Sequence, residues 1–356
     1  MGNKEIAIVG GRQSNIEALR LLSMLMVLNL HSFWGYNHGS GIGQIFDFFR
    51  ESSSICAVNV FLLISGYFGI RWKLKSFYNL IFQLFFYAFG VYLTACAIGA
   101  INFSLKGFLS NVVCVYNHWG FIKYYVLLYF FAPILNAFIE KVSNKQLLIF
   151  IIILLLCENF IIRGHGFTNY CLMYFIGRWI NRTGAVKHLD FNPRLYYWII
   201  TFLITMFVYL FYLYTPINTA ERMCGFIMGY DYAAPLVISQ AICLFFIFAR
   251  MEFTSRLVNW CASSCLAVFL IHMHPRISWI GYYAITEAFY DLPIWRHCIY
   301  LLLLIMGVFC GSILIDKIRI VVSDYVYLKL KKIISIIPEK FLLADTYIPE
   351  TIKKIL

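Results

Sequence analysis

Apolar residues run through this chain in stretches of membrane length, separated by short polar connections. A helix needs about 20 mostly apolar residues, within a range of about 17–25, to cross the hydrocarbon core of a bilayer. Ten segments reach or approach that length: residues 16–36, 55–71, 77–99, 121–140, 147–164, 166–180, 194–214, 232–250, 257–280 and 296–320. The pattern predicts an all-α fold, a polytopic transmembrane helical bundle of about ten spans. The sixth segment is short and the fourth contains Pro133, so these two fit least well. No internal repeat, low-complexity linker or soluble insert interrupts the series. The expected division is a transmembrane domain over residues 1–320 and a basic cytoplasmic tail over residues 321–356. The first segment contains Arg20 and His31, with no small-residue cleavage site after it. It therefore reads as a retained helix and not as a removable leader.

Composition narrows the class. Of 356 residues, 62% are apolar and 13% charged, against about 45–50% and about 25% in soluble domains. So few charges cannot screen so much apolar surface from water. A disulfide scaffold, a disordered chain and an ordinary cytosolic enzyme are excluded. The net charge of +12 would raise the question of nucleic acid in a soluble protein. Here the positive-inside rule accounts for it, and no nucleic-acid partner is expected. With the N-terminus inside, alternate loops and the tail place 21 of the 29 Lys and Arg residues on the cytoplasmic face, and seven on the other. Arg20 lies within the first span. The bias predicts both termini in the cytoplasm. Lys329, Lys331, Lys332 and Lys340 in the tail suit either an interfacial helix on anionic membrane lipids or a solvated end. The 11 cysteines form no CxxC pair and no metal-ligand spacing, so no metal is expected.

In so apolar a chain each intramembrane ionisable group stands out, because burying it in lipid is costly. Arg20 and His31 are 11 residues apart, close to three turns, so they project from nearly one helix face about 16 Å apart along the axis. Such a pair can hold two ends of a long ligand, an anionic group at Arg20 and a reacting group at His31. Histidine suits proton transfer because its unperturbed pKa of about 6.5 lies near working pH. A snorkelling arginine and an interhelical hydrogen bond are the plainer roles of the same two residues. Asn59 to Gly69 contains a Ser65-Gly66 pair suited to close helix approach. Arg71, Lys73 and Lys75 follow it, either as phosphate ligands or as markers of the inner face. His118-Trp119 leads into a span with Tyr124, Tyr125, Tyr129 and Pro133, and such aromatics usually anchor a span at the interface. Ser264 to His272 places His272 well into the ninth segment. His272 and His274 do not share a helix face, so they do not read as a metal pair.

These motifs together resemble the integral-membrane acyltransferase-3 family, which includes bacterial O-acetyltransferases of capsule, exopolysaccharide, O-antigen and peptidoglycan. Arg20 and His31 match its R-x10-H signature. Phe61 to Tyr67 is similar to its F-x-x-x-SG-F/Y motif. The stretch from Trp119 to Pro133, and that from Ser264 to His272, are similar to its later motifs. The resemblance covers about residues 12–320. Two departures stand out. Arg71, Lys73 and Lys75 replace the family's R-x-x-R, and Gly120 follows Trp119 where the family has an aromatic residue.

The resemblance implies a bacterial inner-membrane enzyme using acetyl-CoA or another acyl-CoA as donor. It implies a surface polysaccharide or lipid-linked glycan as acceptor, with polysaccharide-assembly machinery as a possible partner. His31 would be the general base, or a transient acyl carrier in its place, and Arg20 the second catalytic residue, about 16 Å away along the helix. Arg71, Lys73 and Lys75 would bind the donor, and Trp119 and His272 the acceptor. Some relatives carry an appended extracytoplasmic hydrolase-like domain. None follows here, so direct acylation or transfer to a partner is expected. A transporter or flippase for a lipid-linked glycan is the rival class, but the two halves of the chain lack the matching interrupted spans of such folds.

Overall fold

The computed structural model describes residues 13–32, 41–110, 119–162, 166–214, 231–274 and 277–334. Among these the chain is helical and has no strand. The elements that build the site are α1 (Ser14–His31), α2 (Ile42–Ser52), α3 (Ala57–Phe68), α4 (Leu74–Ala97), α5 (Gly120–Lys141), α6 (Asn144–Cys157) and α7 (Phe167–Thr183). They continue with α8 (Ala185–His188), α9 (Pro193–Tyr214), α10 (Pro235–Ala249), α11 (Arg256–Ala262), α12 (Cys265–His272), α13 (Ala284–Ala288) and α14 (Ile294–Ile334). Each of the ten apolar segments carries helix. Six helical stretches among the described residues are long and apolar enough to cross a membrane: Gly43–Phe68, Leu74–Ala97, Gly120–Lys141, Asn144–Ile161, Pro193–Tyr214 and Ile294–Leu330.

Local chemistry sets the boundaries. Ser143 and Gln146 form a reciprocal capping box at the start of α6, and Ser255 Oγ accepts the Val258 amide at 3.3 Å at the start of α11. Asn192 Oδ1 accepts the amides of Arg194 and Leu195, both at 3.2 Å, at the start of α9. Gly184, at φ +65°, ends α7 in the left-handed conformation that glycine adopts without strain. α5 runs through Pro133 unbroken, as spanning helices can when neighbours take up the freed carbonyl.

Three segments differ from the sequence expectation. The second span starts earlier, at Gly43, because α2 leads through a short turn into α3. The ninth segment is not one helix. It breaks at Ser263-Ser264, where Lys317 Nζ donates to the Trp260 carbonyl at 2.5 Å and to Ser263 Oγ at 2.9 Å. The lysine thus occupies a carbonyl that a continuous helix would have used. The tenth segment belongs to a helix of 41 residues, α14, which runs through the expected domain boundary at residue 320. At 1.5 Å per residue it is about 60 Å long, about twice the hydrocarbon core.

The bundle has a packed centre and an apolar rim. α3 and α7 make the most extensive helix contact, and α5 and α6 also pack on α7. A Cβ on Gly66 would meet the Tyr174 Cα at 2.8 Å, and one on Gly177 the Tyr67 nitrogen at 2.6 Å. The Ser-Gly pair therefore serves close helix approach, as its sequence suggests. On the rim, Ile149, Ile153, Phe202, Leu303 and Leu314 are exposed. A continuous apolar exterior of this kind faces lipid in a membrane protein. Inside that rim a buried ion pair on α14 ties that helix to α4. Arg319 donates twice to Asp316, each at 2.8 Å, and Tyr87 on α4 donates to the same carboxylate at 2.8 Å.

Candidate active site

A cavity of about 560 Å³ opens between α1, α3, α5, α7 and the broken pair α11–α12. Both Arg20 and His31 line it, and Met24 and Val27 line it between them. The three-turn spacing of the first helix thus places two ionisable groups on one wall. The remaining wall is largely apolar and aromatic, with Phe61, Phe121, Tyr124 and Phe269 among its residues.

His31 is half-buried and meets His272, which is buried. His31 Nδ1 lies 2.8 Å from His272 Nε2, and His272 Nδ1 lies 2.6 Å from the Val268 carbonyl oxygen. The carbonyl can only accept, so His272 Nδ1 donates to it. In a neutral ring His272 Nε2 is then an acceptor, and His31 Nδ1 donates to it. The remaining His31 nitrogen, Nε2, keeps its lone pair. Its ring borders the cavity, and Nε2 has no protein partner among the described residues. A histidine whose tautomer is fixed from behind in this way can act as a general base. His272 does not line the cavity. It backs the histidine that does.

The other predicted residues are placed as follows. Arg20 pairs with Glu17 at 3.0 Å, so its charge is partly answered within α1. Arg71, Lys73 and Lys75 are exposed and do not line the cavity. The loop that carries the first two is held by Tyr174, which accepts the Ile70 amide at 2.9 Å, and by Asn136, which donates to the Ile70 carbonyl at 3.0 Å. Lys75 instead lies over the Tyr327 ring, 5.5 Å from its centroid. Trp119 is fully buried and packs edge-on against His274 with ring centroids 6.0 Å apart. It turns inward at the start of α5 and does not line the cavity, whereas Gly120 and Phe121 beside it do. His118 lies outside the described residues. Among the described residues no three His, Cys, Asp or Glu side chains come together as metal ligands.

Two site residues were not singled out from the sequence. By sequence Arg50 is one of the seven basic residues assigned to the outer face; in the structure it lies on α2, buried against the end of α1. Its Nη1 donates to Asn29 Oδ1 at 2.8 Å and to Ser32 Oγ at 2.6 Å. Its Nη2 donates to the Tyr290 hydroxyl at 3.0 Å and faces Asp47 at 3.6 Å. A cation there suits the C-terminal end of α1, where Nη1 also reaches the Asn29 carbonyl at 3.3 Å, and it braces the turn that follows His31. The signal available was the i, i+3 pair of Asp47 and Arg50 in a stretch of helical apolar period. The second residue, Asn169 on α7, lines the cavity and carried no motif at all.

A membrane-type helical bundle enclosing a lone-pair-bearing histidine at one end of a cavity, and an arginine further along it, defines the class: an integral-membrane group-transfer protein. The chain matches the family model described as an acyltransferase domain, acyltransferase-3, over residues 13–316, and it belongs to that family. It is a membrane acyltransferase. No curated protein and no solved structure matches it.

Proposed function

We propose that this protein is a multi-pass O-acyltransferase of the bacterial cytoplasmic membrane. It moves an acyl group, most often acetyl, from acyl-CoA to a hydroxyl of a capsular, exopolysaccharide or other surface glycan. The observation that carries this reading is the His31 Nε2 lone pair at a cavity wall, its tautomer fixed by His272 and Val268. His31 Nε2 removes the hydroxyl proton as the oxygen attacks the thioester carbonyl. The C–S bond breaks, and the proton passes from His31 to the leaving thiolate, releasing the free thiol. His272 accepts from the imidazolium throughout and holds it in register. An apolar wall excludes water that would otherwise hydrolyse the thioester.

The donor enters from the Arg20 end, with its phosphates toward the cytoplasm, where Arg71, Lys73 and Lys75 supply positive charge. The loop-charge bias supports ten spans with both termini cytoplasmic. The membrane domain and its basic tail then meet within α14, whose length carries it past the lipid core.

His31→Ala tests the reading. Membranes with matched protein levels are supplied with labelled acetyl-CoA and glycan. Transfer is expected to fall by about 10²–10⁴-fold, the usual contribution of a general base. Transfer near the wild-type rate would remove His31 from the mechanism.

A further inference from the structure

Asn169 is 1% exposed and contributes to the cavity wall, yet its side chain makes no hydrogen bond among the described residues. The Oδ1 atom is fully buried without a donor. An unmet buried amide is costly. Three other polar groups on the same wall are spent on the protein's own backbone. Ser65 donates to the Phe61 carbonyl at 2.9 Å, Ser263 to the Trp260 carbonyl at 2.8 Å and Tyr170 to the Phe121 carbonyl at 3.3 Å. Asn169 alone of these four leaves both its donor and its acceptor unused by the protein, in a largely apolar wall; Oδ1 lies beneath the surface, so a ligand meets it by a turn of the side-chain amide toward the cavity. The complement of that pair is an amide on a ligand.

Helix register gives its depth. Gly66 packs on Tyr174 and Gly69 meets Arg178, so α3 and α7 run parallel. Asn169 precedes Tyr174 by five residues, about 7.5 Å at 1.5 Å per residue, which sets it near Phe61. Asn29 bonds Ser54 at 2.8 Å, so α1 runs antiparallel to α3, and Phe61 faces the stretch between Arg20 and His31. Asn169 therefore stands partway along the cavity.

We propose that Asn169 is a donor-binding residue whose side chain pairs with a secondary amide of the acyl-CoA pantetheine arm. This rests on the acyl-CoA reading above. With the thioester at His31, the first amide of the arm falls about one extended residue length, roughly 3.5 Å, from the sulfur, and the second a few ångströms beyond. Both lie between His31 and Arg20. An N-acetyl group on an acceptor sugar offers the same chemistry from the other substrate, and the test separates the two.

The full-length protein, wild type and Asn169→Leu, is titrated with acetonyl-CoA, a non-hydrolysable thioether, and with 3′-phospho-ADP, which has the phosphates but no pantetheine arm. Asn169→Leu is expected to weaken acetonyl-CoA about tenfold and leave 3′-phospho-ADP unchanged. Asn169→Gln, which keeps the amide, is expected to recover part of the loss. Equal weakening of both ligands, or of neither, overturns the assignment. So does a raised KM for acceptor glycan with acetonyl-CoA binding intact, which would give the amide to the acceptor. A wild-type protein that binds neither ligand would sink the acyl-CoA reading itself, whatever the variant does.

Discussion

At the scale of single residues, the His31–His272 pair divides labour between a nitrogen left free at the cavity wall and three that are not. His272→Leu removes the acceptor behind His31 and frees its tautomer. His272→Gln retains an acceptor oxygen and a donor for Val268. The expected outcome is a fall in kcat of about 10–100-fold for His272→Leu, with a smaller fall for His272→Gln and little change in the KM for acyl-CoA. Steady-state kinetics on both variants check it, and equal losses would return His272 to simple packing. His31 and Arg20 were legible because an ionisable group in an apolar run has few plain explanations. Arg50 was not, since a basic residue between two apolar segments looks like any loop charge until Asn29, Ser32 and Tyr290 are seen around it. Asn169 was not legible either. Its distinction is a missing partner, and sequence records no partners.

Among elements, the contact of α3 with α7 joins two walls of the cavity. Gly66 and Gly177 let the two backbones touch, and a methyl group at either position meets main chain, which cannot swing aside as a side chain can. Gly66→Ala is expected to lower stability by about 1–3 kcal/mol, read as a lower thermal midpoint in detergent. An unchanged midpoint would mean that the helices part without penalty. The glycines were readable as a packing motif because small residues have a simple use in membrane helices. The break at Ser263-Ser264 was not readable, because the apolar pattern continues through it. The side chain that meets the broken turn is Lys317, 54 residues from Ser263 in sequence.

For the whole molecule, the alternation of basic loops makes a prediction independent of any site residue. A fluorescent protein fused after Leu356 is expected to fluoresce, and alkaline phosphatase fused at the same point to be inactive, since each reports the compartment in which it folds. The opposite pair of results would invert the proposed topology. The length of the apolar runs revealed the all-helical fold and where most of its helices lie, because lipid selects for apolar composition over a fixed length. The length of α14 escaped it: a helix that leaves the lipid gains polar residues, and its apolar signal ends before the helix does.

The hydrogen-bond chain behind His31 has a consequence for proton traffic. It ends on the Val268 carbonyl, which cannot carry a proton onward. Under the proposed mechanism every proton that reaches His31 arrives and departs through one nitrogen, and it leaves as part of the released thiol. The histidine pair is therefore a closed terminus and not a wire across the bilayer. By that mechanism acyl transfer moves no net charge through the pair, and its chemical step is uncoupled from the proton gradient.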